Sequence, residues 1–129
     1  MKKLVLFLSL MTGAAGAAVL AVDASMSALP LEVRVALQDS CHGCKFADAG
    51  TPWNSTDMIF NNLPQRRLIS IEHSGAAWRV QYEHGGRGQH SHTVTFSTLP
   101  VVHVISTEFM YAVRNVSGVV THTVQRIVE

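Results

Sequence analysis

The chain has 129 residues, a formal net charge of +1, seven histidines and two cysteines. Its length suits one domain able to bury its own core. The near-neutral charge, with no basic cluster beyond Arg66-Arg67, leaves no electrostatic footprint for nucleic acid or an anionic membrane surface. No nucleophile elbow, phosphate-cradling loop or metalloprotease helix motif occurs, so the best-marked enzyme classes are excluded.

Met1-Lys2-Lys3, the apolar Leu4–Met11 and the small-residue run Thr12–Ala24 follow the pattern of a secretory signal peptide. Residues 1–21 are expected to be removed, with cleavage falling between 17 and 24, which leaves 22–129 as a single small domain in the periplasm or outside the cell. The competing reading is an uncleaved anchor, since Leu4–Val22 is apolar over nearly the span a membrane helix needs. The density of Ala and Gly favours cleavage, and no membrane span then remains.

Leu29–Asp39 fits two periods. Leu31, Val33, Val35 and Leu37 alternate as in a strand, whereas Leu29, Val33, Ala36 and Leu37 share a helical face. Pro30 and Glu32 suit a first helical turn, which decides for helix. Cys41-His42-Gly43-Cys44 follows, and in an exported protein the two cysteines are expected to form a disulfide. The chain-entropy model assigns so small a loop only about 2 kcal/mol.

The same pair also admits a thiol-disulfide oxidoreductase, because His42 and a helix terminus can lower a thiol pKa. Phe46–Trp53 is, however, too short and broken for the helix such a site has behind it. Haem attachment requires a histidine directly after the second cysteine, and Lys45 stands there. A structural zinc site would need two further ligands from the distant strands.

Asn54 reads as the N-cap of a short second helix closed by Pro64. Arg67–Phe96 then reads as three antiparallel strands joined at Ser74-Gly75 and at the loop Gly85-Gly86-Arg87-Gly88-Gln89. With those turns Ile71 faces Trp78 and Phe96, Ile69 faces Val80 and Val94, and Arg67, Tyr82 and His92 share a row beyond which His84 opposes His90. A slip of one residue would turn every side chain to the other face.

Thr98-Leu99-Pro100 breaks the chain before a short strand at Val101–Ser106. A last hairpin joins Phe109–Arg114 to Val119–Val128, with Phe109 opposite Val124, Tyr111 opposite His122 and Val113 opposite Val120. The expected class is α+β: an N-terminal helix, with a short second one, packed on an antiparallel sheet of about five strands built from hairpins.

His84, His90 and His92 gather at one hairpin mouth, a donor set suited to zinc or copper. Arg67 in the same row would repel a dication. With Arg67 as fork donor, the set Arg67, Tyr82, His84 and His92 also suits an anionic or polar ligand. The plainest reading is polar residues closing an apolar face, with Arg67 over Tyr82 contributing about 0.5–1 kcal/mol. The functional expectation is a non-enzymatic binding or accessory module, the alternative being a redox protein using Cys41 and Cys44.

Overall fold

The computed structural model describes residues 18–86, 88–114 and 120–128, with side chains as far as Met110. Strand β1 (Leu20–Val22), a 3-10 turn at Met26–Ala28, helix α1 (Leu31–Asp39) and strand β2 (Phe46–Ala47) come first. They precede β3 (Arg66–Ser74), β4 (Ala77–His84), β5 (His90–Ser97), β6 (His103–Arg114) and β7 (Val120–Val128). The sheet order is β1-β3-β4-β5-β6-β7, antiparallel throughout, and β2 adds to β3 in parallel. Among the described residues the molecule is mostly sheet with one α-helix, the α+β class in its broad form.

Helix α1 forms where the helical period places it, with Pro30 at the N-cap rather than inside the first turn. Val33 and Leu37, one turn apart, are fully buried, and with Leu29 they pack on Leu68, Ile71, Val80, Tyr82, Val94 and Phe96. Burying each such side chain contributes about 1.5–3 kcal/mol. The core therefore lies between α1 and one face of β3–β5, and that face continues toward the histidines.

The expected second helix does not form over residues 54–64. Asn54 is buried, its side-chain amide donates to the carbonyls of Phe60 and Leu63 at 3.1 and 3.0 Å, and its backbone N–H donates to Pro64 O at 2.7 Å. Asn61 and Asn62 both have positive φ, +52° and +53°, which a right-handed helix excludes. The segment is a loop tied together by one asparagine.

The β4–β5 register is the expected one, with Trp78↔Phe96, Val80↔Val94, Tyr82↔His92 and His84↔His90. The β3–β4 register is not. The turn is Gly75-Ala76, with Gly75 at φ +56° supplying the positive φ that a type II′ hairpin needs at its first central residue. Ile71 consequently faces Val80, and His73 faces Trp78, stacked ring on ring at 4.1 Å. A bulge between Leu68 and Ser70 then changes the parity. Leu68 enters the core at 1% exposure, while Ile69 is turned out at 42%.

A second irregularity, where Thr95 pairs with Ser106 but Phe96 with Val104, turns out Ile105 in the same way. Val101–Ser106 and Phe109–Arg114 belong to one strand, β6, which begins at His103. In the last hairpin Phe109 pairs with Gln125, Met110 with Val124 and Ala112 with His122. This is one residue off the expected register, because Arg114↔Val120 leaves an odd number of residues between the strands.

Residues 1–17, most of the signal-like segment, lie outside the described residues. Leu20–Val22, inside the expected cleavage window, pair with Ile71–His73 as β1. Among the described residues no helix is long and apolar enough to cross a membrane.

Candidate functional site

Two extra rows of the core face carry the polar groups. Once the hydrophobic rows Trp78/Phe96 and Val80/Val94 are fixed, strand alternation puts Tyr82 beside His92 and His84 beside His90 on that face. The three imidazoles offer ring nitrogens that all lie within 4.8 Å of one another. Gly85, next to His84, cannot be replaced freely: a Cβ there would run into Asn54 O and come within 2.8 Å of Ser55 Cα. Its N–H donates to Gln65 O at 2.8 Å, so the Asn54 loop buttresses the hairpin mouth.

His90 Nδ1 lies 3.0 Å from the Gly88 carbonyl. A carbonyl only accepts, so neutral His90 carries its proton on Nδ1 and presents the Nε2 lone pair. His84 Nδ1 is 3.3 Å from that nitrogen and donates to it in the metal-free molecule. His92 is stacked on Tyr82 at 4.9 Å and meets the edge of Phe109 at 4.5 Å. Its Nε2 is buried and finds no hydrogen-bond partner among the described residues. A buried polar atom without a partner calls for a physical account, and a lone pair held for a Lewis acid provides one.

Burial and neighbouring charge disfavour protonation of His84 and His92. Burial, followed by the neighbouring His90, His84 and Arg66, pushes His92 down to about 4. His84 is also lowered, by burial first and then by Arg66 and His90. Neutral imidazole is the form that ligates metal. Burial raises the Tyr82 hydroxyl, against the opposing pull of the nearby Arg66 guanidinium.

Arg66 is the correction to the expected site. The bulge at Ile69 pairs Arg66 with His84 and Arg67 with Glu83, so Arg67 lies on the opposite face. There it binds Glu83 at 2.6–2.7 Å and covers the Trp53 ring at 4.9 Å. Arg67 does not touch Tyr82 or His92 as expected. Of the expected ligand set, Tyr82, His84 and His92 come together, with His90 completing the imidazoles.

The rows open into a cleft of about 480 Å³. One wall is Arg66, Tyr82 and the three histidines; the other includes Ser40, Cys41 and His42. The two sequence motifs, forty residues apart in the chain and read separately, thus face one space. Neither Arg66 nor His42 was expected here. The adjacent arginine pair was the only signal for Arg66, and His42 had none.

Cys41 and Cys44 form the disulfide, with Cα atoms 5.5 Å apart. It follows the C-terminus of α1, where Cys41 Sγ lies 3.6 and 3.4 Å from the carbonyl oxygens of Leu37 and Gln38. The carbonyl end of a helix is its negative pole, so this position disfavours a thiolate. Redox cysteines need the reverse.

No protein-family model, curated protein or solved structure matches this chain.

Proposed function

We propose that this chain is an exported, non-enzymatic metal-binding module that holds zinc or copper through His84, His90 and His92. The observation that carries the reading is the convergence of three ring nitrogens within 4.8 Å. Support comes from the His90 proton fixed on Gly88 and the His92 nitrogen without a partner. Zinc–nitrogen bonds of about 2.0–2.1 Å put two tetrahedral ligands about 3.3–3.4 Å apart. His84 Nδ1 and His90 Nε2 are already 3.3 Å apart, so a tetrahedral ion matches their spacing once both rings turn toward it. The carbonyl behind His90 is the outer partner that orients metal-bound imidazoles.

An exported location accords with the signal-like start and with a disulfide, which persists in oxidising compartments. The cysteine pair opening on the same cleft is what favours the second reading, a thiol-disulfide protein, and the helix carbonyls around Cys41 weigh against it.

Isothermal titration of the oxidised, signal-free protein with zinc and with copper tests the proposal. The double variant His90→Ala/His92→Ala loses two of three ligands and is expected to bind at least about a hundredfold more weakly. Equal affinity of variant and wild type refutes it.

A further inference from the structure

We propose that the metal site is completed by an exogenous oxyanion, a carboxylate or phosphate group, held between the metal ion and the Arg66 guanidinium. The inference rests on the metal reading above and names what the site recognises. Three protein ligands leave a tetrahedral ion one open position, and here that position faces a cleft with a fork donor on its wall.

Charge is the first argument. Imidazole ligands bring no negative charge to a metal ion, none of the described acidic side chains lines the cleft, and a dication beside Arg66 leaves excess positive charge in a half-buried space. Nearby like charges at reduced dielectric repel strongly. A negative ligand from outside relieves that repulsion while also bonding to both cations. The second argument is a contrast among arginines on the same sheet. Arg67 has Glu83, and Arg79 has Glu72 and Glu108. Among the described residues no carboxylate pairs with Arg66, which lines the cleft with Tyr82.

Geometry adds the third. A guanidinium presents parallel N–H donors that match two oxygens of one carboxylate or phosphate, and Arg66 stands on the same wall as the imidazoles. His42, exposed on the opposite lip, adds a donor at the entrance. A cleft of about 480 Å³ has the size of small-molecule sites, so it admits a small acid, a phosphate ester or a chain-terminal carboxylate.

The test uses the oxidised, signal-free protein loaded with cobalt(II), whose visible bands report coordination. Acetate and inorganic phosphate are titrated separately into wild type, Arg66→Met and Arg66→Lys. Wild type is expected to show a saturable spectral change with at least one anion, and the tighter of the two names the class. Arg66→Met should hold cobalt at least as well, its repulsion gone, yet bind the anion about tenfold or more weakly, with Arg66→Lys, which keeps the charge and loses the fork, in between. Equal anion affinity in the three proteins, or a wild-type spectrum indifferent to both anions, overturns the proposal while leaving the metal site standing. A wild type that does not bind cobalt overturns both.

Discussion

The same face of β4–β5 is a packed core at one end and an imidazole cleft at the other. At the first end Phe96 and Val80 are fully buried against α1. At the second, His84, His90 and His92 are half-buried, their rings 4.6 to 5.9 Å apart. Strand alternation carries the geometry from one end to the other, so the apolar rows fix the direction of the histidines although they never touch a ligand. The histidine end in turn has fewer apolar contacts to lose, and for that reason can have its chemistry altered without unfolding the sheet.

The most severe break is Phe96→Ala, which removes the largest fully buried side chain and is expected to cost about 3–5 kcal/mol in urea unfolding. Metal affinity of the molecules that remain folded should stay within a few fold, because the imidazoles lie two rows away. A parallel collapse of affinity would show that the two ends are not separable.

Gly85→Ala is the converse. The new Cβ meets the backbone of Asn54 and Ser55, and overpacking of this kind costs about 1–3 kcal/mol. Its larger effect should be on zinc titration, since the displaced segment joins His84 to the Gly88 carbonyl that orients His90. Reduction of the disulfide, followed by thermal melting, is expected to cost about 2 kcal/mol. The freed Cys41 thiol should titrate at or above the ordinary value of about 8.5, since helix carbonyls surround it. A value well below that revives the redox reading.

The mildest probe is pH. His92 binds its proton at about 4 in the folded molecule against an ordinary 6.5, and His84 is shifted the same way. The unfolded chain therefore takes up more protons between these values, and folding stability rises with pH across that window. The metal-free protein should be at full stability above pH 6.5 and lose it progressively as pH falls toward 4, as measured by denaturant midpoints. A flat profile would mean that His84 and His92 take up protons as readily in the folded as in the unfolded chain, contrary to their burial.

Particular residues show how much of this was legible. Trp78, Val80, Val94 and Phe96 alternate without ambiguity around a glycine loop, so the β4–β5 register and the histidine cluster followed from the chain alone. Leu68-Ile69-Ser70-Ile71 carried no such certainty, since Ile69/Ile71 satisfies alternation as well as the bulged Leu68/Ile71. Asn54 resembled a helix cap because a cap and a loop plug use the same amide, and only the positive φ of Asn61 and Asn62 distinguishes them.

What the sequence by itself determined is local: one helix, the hairpin pattern, the histidine rows and a disulfide of short span. Each depends on residues a few positions apart or on a single turn. The tertiary structure alone decided that Arg66 rather than Arg67 joins the histidines, and that Cys41 and His42 form the facing wall. The bulge at Ile69 is settled by which side chain the core accommodates, and the meeting of α1 with β5 is settled by packing. Neither quantity is encoded at short range.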